Sequence, residues 1–171
     1  MAHHHHHHGS SEIHLDDLDR NILRLLKKDA RLTISELSEQ LKKPESTIHF
    51  RIKKLQERGV IERYTIILGE QLKPKHLALI VLEVGKPVIE DFLERYISYI
   101  SSTLSALPGV LFVAKSGEDK IIALVGKNNK DELVKFIEEN ITSIPNLKHI
   151  QIFPITEIKK GEDLTGFLAE V

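Results

Sequence analysis

Pro44, set between two short apolar periodicities, constrains the first part of this chain more than any other residue. Proline is tolerated in the first turn of a helix but breaks one already running, so Pro44 must close one helix and open the next. Upstream, Thr33 followed by Glu36 is an N-capping pattern, and Ile34, Leu37 and Leu41 at i, i+3, i+7 make one apolar stripe. These predict a helix ending near Lys42. Downstream, Ile48, Ile52 and Leu55 at i, i+4, i+7 predict the buried face of a second helix. At about 100° per residue this leaves Ser46, Phe50, Lys53 and Glu57 on the opposite side, flanked by Thr47, His49 and Lys54. Ahead of both, Asp16 can cap a helix that runs to Lys28 with Leu15, Leu18, Ile22, Leu25 and Leu26 on its apolar side. Three short helices with a tight turn between the last two, leaving through Gly59-Val60-Ile61, form the pattern of a helix-turn-helix.

The outward side of the last helix suits a DNA major groove, where short polar groups read base edges and cations meet phosphates. Ser46 and Phe50 are expected to read bases, Lys53, Lys54 and Arg51 to contact phosphates, and Thr47 and His49 to flank the contact. Phe50 matters most, because a merely solvated face rarely spends a phenylalanine, whereas a thymine methyl would use it. For Arg51 the structural alternative is a salt bridge to a neighbouring acid. Local charge supports the nucleic-acid reading. Residues 42–63 hold seven basic side chains against three acidic, whereas the whole chain is nearly balanced, with 24 Lys and Arg against 25 Asp and Glu. Residues 70–171 carry a net −3 and must do something other than hold DNA.

Composition narrows the remaining classes. Of 171 residues, 41% are hydrophobic and 29% charged, which is ordinary for a soluble globular chain of one or two domains. Residues 1–11 read as a hexahistidine tag and linker, outside the fold. The other histidines, His14, His49, His76 and His149, are too scattered for a ligand cluster, so no metal site is expected. Without cysteine there are no disulfides, zinc fingers or thiol catalysis. No apolar run is long enough for a membrane span and nothing resembles a signal peptide, which predicts a cytoplasmic location. No phosphate loop, carboxylate pair or nucleophile-base arrangement is present, so neither catalysis nor a cofactor is expected.

The expected organisation places the helix-turn-helix over 12–62, a hinge strand and linker over 63–75, a second domain over 76–160 and a tail over 161–171. Val60 to Leu68, rich in β-branched residues, reads as an extended strand, and Gly69 to Lys75 as the linker. The second domain contains an internal echo. A strand at 76–84 leads into a helix opened by Pro87, which stops at Leu107-Pro108-Gly109. Strands at 110–115 and 120–126 join through Ser116-Gly117-Glu118-Asp119, and a helix capped near Asn129 stops at Ile144-Pro145-Asn146 before a strand at 147–158. The resulting β-α-β-β-α-β order predicts a ferredoxin-like α+β domain with helices on one side of an antiparallel sheet. Its other side should bury Ile, Val and Leu against a copy of itself.

LDDLDRNILRLLKKDAR at 15–31, ELSEQL, STIHFRIKKLQERGVI at 46–61 and the βαββαβ tail together resemble the Lrp/AsnC, or feast/famine, family of transcriptional regulators over about residues 15–160. The resemblance implies a winged-helix-like DNA-binding domain and a RAM ligand-binding and assembly domain. It further implies homodimers that assemble to octamers, and amino acids or similar small molecules as effectors. By the same resemblance the loop after the second RAM strand lines the effector site, with Gly117, Glu118 and Asp119 as its candidate residues. This loop is one residue shorter than the family's usual glycine-residue-aromatic-aspartate pattern and lacks the aromatic, so the expectation is no amino-acid effector or a weakly bound one. The competing readings are an architectural DNA-coating protein of the same fold and a sirohaem-decarboxylase-like enzyme using His76 and His149.

Overall fold

The computed structural model describes residues 13–87, 89 and 91–171; the tag and linker read at 1–11 lie outside them. The described residues form two compact units, the first ending at Thr65 and the second beginning at Ile66.

In the first unit, three helices follow from three local stop and start signals: α1 (Asp17–Lys28), α2 (Ile34–Leu41) and α3 (Glu45–Glu57). Asp16 and Asp19 form a reciprocal capping box, the Asp16 carboxylate accepting from the Asp19 amide at 2.8 Å and the Asp19 carboxylate from the Asp16 amide at 3.2 Å. An aspartate thus takes the place usually held by glutamate. Thr33 caps α2 through the Glu36 amide at 3.1 Å, and α2 ends at Lys42, whose left-handed φ of 53° turns the chain. Pro44 is the N-cap of α3, its carbonyl accepting from the amides of Thr47 and Ile48. Each helix contributes one side chain with no solvent exposure to the common core: Ile22, Leu37 and Ile48. Gly59, at φ 72°, closes α3 in the conformation that glycine adopts without penalty.

The strand expected over Val60 to Leu68 is not formed. Among the described residues this segment joins no β-ladder, and Tyr64, Ile66 and Ile67 stand exposed. A β-branched sequence supplies the propensity for a strand, but a strand needs a neighbouring strand to ladder with, and among the described residues this segment makes only an isolated contact, from the Leu68 amide to the Gly166 carbonyl.

The second unit runs β1 (His76–Val84), α4 (Asp91–Ser105), β2 (Val110–Ser116), β3 (Lys120–Lys127), α5 (Lys130–Asn140), β4 (Leu147–Ile155) and α6 (Asp163–Leu168). The sheet order is β2-β3-β1-β4, antiparallel throughout, so α4 and α5 each connect strands that are not neighbours. This is the ferredoxin-like arrangement. Along β1, Ala78, Ile80, Leu82 and Val84 enter the core beside Ile121, Ala123 and Val125 of β3. Ile97, Ile100 and Leu104 of α4 and Leu133, Phe136 and Ile137 of α5 cover them. Helix α4 begins at Asp91 rather than at Pro87, and Ile89, ahead of it, is 69% exposed.

Register places the remaining strand residues in cross-strand rows on the face away from the helices. Phe112, Leu124, Leu79 and Phe153 form one row, and Ala114, Ile122, Val81 and Gln151 the next. Ser116, Lys120, Glu83 and His149 form the row after that. The face therefore grades from apolar to polar along the strands, with Phe112 and Phe153 about half exposed.

The expected tail over 161–171 instead contains α6, too short for its periodicity to be read. It docks through Gly166, whose carbonyl accepts from the Leu68 amide at 2.9 Å and whose side-chain position lies against that segment. A Cβ at 166 would stand 2.3 Å from the Leu68 carbonyl oxygen. Gly166→Ala is therefore expected to dislodge α6 at a cost of about 1–3 kcal/mol. Limited proteolysis should then cut the C-terminal segment of the variant but not that of the parent chain.

Candidate nucleic-acid interface

Because Ile48 and Leu55 are buried and Ile52 half-buried, that face of α3 lies inward and its opposite side faces solvent. Ser46, His49, Phe50, Lys53 and Lys54 are exposed, Thr47 and Arg51 half-buried. Phe50 is 53% exposed, and the ammonium of Lys54 lies 5.0 Å from the centre of its ring, a cation–π contact. Lys42, Lys43 and Arg58 add exposed positive charge before and after the helix. Five of the seven expected contact residues thus stand exposed.

Arg51 departs from the expectation. Its Nη1 donates to the Asp16 carboxylate at 2.5 Å and to the Asp19 carboxylate at 3.1 Å, both at the start of α1. The guanidinium hydrogen bond, followed by that of the Asp19 amide, holds the Asp16 carboxyl at about 2. The same bonds, Asp16 first, raise Arg51 above its usual value. Sequence reasoning named a salt bridge as the alternative for this residue but could not name the acids, which lie 32 and 35 positions away. Beside the trio, a cleft of about 550 Å³ is lined by Phe50, Lys54 and Arg58 together with Leu15, Asp16 and Arg51. Arg58 is a basic residue at this edge that the reading of helix periodicity passed over, since it lies just past the helix end.

The candidate effector residues sit on the β2–β3 hairpin. Gly117 has φ +61° and an added Cβ there would meet nothing within 4 Å, so this glycine answers to turn geometry rather than to close packing. Glu118 is exposed; the Asp119 carboxylate pairs with Lys120 at 3.3 Å while its carbonyl accepts from the Val84 amide at 2.8 Å. His76 and His149 do not converge: His76 lies opposite Lys127 at the start of β1 and His149 opposite Glu83 near its end.

Residues 74–168 match a family model described as the PF0864 C-terminal dimeric α+β barrel domain, and residues 15–62 match a winged helix-turn-helix DNA-binding model. The chain is 71% identical over 157 residues to the HTH-type transcriptional regulator PH1013 of Pyrococcus horikoshii, covering 92% of this chain and 97% of that protein. It is 99% identical to the solved structure of transcriptional regulatory protein PF0864 of Pyrococcus furiosus, described as a member of the AsnC family. That likeness has a TM-score of 0.90 and covers 92% of this chain and 100% of the other. The fold is shared at 23% identity, with a TM-score of 0.72, by the regulator NMB0573 of Neisseria meningitidis solved with L-Met, over 86% of this chain and 94% of that one.

The Arg51 trio makes the first unit acid-sensitive. Asp16 ionises in the folded state at about 2 against an ordinary 3.8, so the stabilisation it supplies is complete above 3.8 and is lost as the pH falls through about 2. Acid unfolding followed by circular dichroism should show this loss in the parent chain, and Asp16→Asn should remove that step of the pH dependence.

Proposed function

Since the chain belongs to the Lrp/AsnC family of transcriptional regulators, we propose that it is a sequence-specific regulator whose α3 lies in the major groove of double-stranded DNA. In this reading Ser46 and Phe50 meet base edges, Lys53 and Lys54 meet phosphates, and Thr47 and His49 border the contact. The observation that carries it is Phe50, an aromatic ring left half-exposed at the centre of a basic helix face and ordered by Lys54. The dimeric domain of the family brings two such helices together, so half-sites are expected one helical turn or a multiple of it apart. Assembly beyond the dimer, up to an octamer, belongs to the same proposal, as does action in the cytoplasm without catalysis. Among the described residues no helix is long and apolar enough to cross a membrane.

Selection of bound fragments from random DNA tests the reading and separates it from architectural coating, which would enrich no sequence. Phe50→Ala should relax preference at about one base step and weaken the selected site by on the order of 1–3 kcal/mol. Lys53→Ala and Lys54→Ala should weaken all duplexes alike, each lowering the salt dependence by about one unit. Unchanged affinity in stable variants would sink the assignment of α3.

For the effector, Gly117, Glu118 and Asp119 remain the candidate site, the two acids accepting hydrogen bonds from an ammonium group. The Neisseria relative's L-Met complex supports asking the question of this chain, and the turn's missing aromatic supports weak binding. Thermal-shift screening against the twenty amino acids decides it, because a ligand at about 100 times its Kd adds about 2.7 kcal/mol. The expected result is no shift or a small one; a large shift with leucine that Asp119→Ala abolishes would reverse this.

A further inference from the structure

We propose that Arg51 is a positioning residue, a latch that sets the recognition helix against α1, and that it makes no phosphate contact; the inference rests on the reading of α3 as the DNA-contacting helix. One guanidinium nitrogen bridges both members of the α1 capping box, Asp16 at 2.5 Å and Asp19 at 3.1 Å. Asp19 is 12% exposed at its side chain, so a bare carboxylate there would need a partner, and Arg51 is the cation that supplies it. Charge argues the same way. One arginine between two aspartates leaves the trio at −1, which repels a phosphate rather than attracting one.

The latch has a geometric consequence. Ile48, Ile52 and Leu55 hold α3 to the rest of the unit by apolar contact, which is non-directional and tolerates small rotations of a helix about its axis. Charge-assisted hydrogen bonds are directional. Arg51 follows Phe50 in the chain, so fixing its guanidinium to the first turn of α1 fixes the direction in which Phe50 leaves the helix. The capping box therefore does two jobs: it starts α1, and it orients the base-reading face of α3. Sequence preference should depend on the latch, while non-specific attraction, which needs only Lys53, Lys54 and their neighbours, should not.

The experiment uses the full chain with Arg51→Ala, Asp16→Asn and Asp19→Asn. Asparagine at 16 keeps the helix cap while deleting the charge. Affinity is read against a selected duplex and a random-sequence duplex over a range of salt, below the melting temperature of every variant. The expected result is that each variant loses about 10-fold on the selected duplex, the size of an ordinary pairwise coupling, with random-duplex affinity and salt slope unchanged. Arg51→Ala combined with Asp19→Asn should lose no more than Arg51→Ala alone. If Arg51 touched a phosphate, Arg51→Ala would flatten the salt slope by about 0.9 and both Asn variants would tighten binding to either duplex; that result overturns the latch. A lowered melting temperature with an unchanged ratio of selected to random affinity also overturns it, because the pair would then be structural alone. Should the parent chain bind no duplex at all, the DNA-binding reading fails, and hydrogen exchange decides the latch separately. Faster exchange in α1 and α3 together in all three variants supports it, and unchanged exchange overturns it.

Discussion

Strand β1 is apolar on both faces, and most of the second unit is a response to that. One face, Ala78, Ile80, Leu82 and Val84, is satisfied within the chain by α4 and α5. The other carries Leu79 and Val81 at the centre of cross-strand rows that end in Phe112 and Phe153. A central strand of this kind is stable only if both sides are removed from water, and a single copy of the chain has helices for one. The matched family domain is described as dimeric, and a second copy would supply the cover that this face lacks. The row of Ser116, Lys120, Glu83 and His149 gives the same face a polar end, so a partner meets a graded surface rather than a uniform one.

A regulator that dimerises through one domain can read DNA with another, and the two tasks divide the charge of the chain. The basic residues from Lys42 to Arg63 gather on and around α3, while the second unit is net acidic. Apolar burial of Ile22, Leu37 and Ile48 assembles the three helices, but the Arg51 bridge is what ties the last of them to the first with defined direction. The β2–β3 hairpin shows the opposite economy: Gly117 turns the chain, Asp119 closes on its neighbour Lys120, and little of the turn is held in reserve.

What the sequence by itself determined is everything governed by near neighbours. Pro44, Thr33, Asp16 and Asn129 set helix starts through bonds three residues long, and each is found where periodicity places it. The apolar run at 76–84 and the Pro-Gly and Pro-Asn stops were enough to give the order of strands and helices along the chain, because turn chemistry is also local. Tertiary structure decided what no local rule reaches. Val60 to Leu68 has strand propensity but no partner strand among the described residues, so it forms no ladder. Residues 161–171 look like a tail until Gly166 meets Leu68, a contact between segments nearly a hundred positions apart. Arg51 could have faced a phosphate or an acid on sequence grounds alone; the packing of α3 across α1 brings it to Asp16 and Asp19, because a guanidinium goes to whichever carboxylates the core places within its reach.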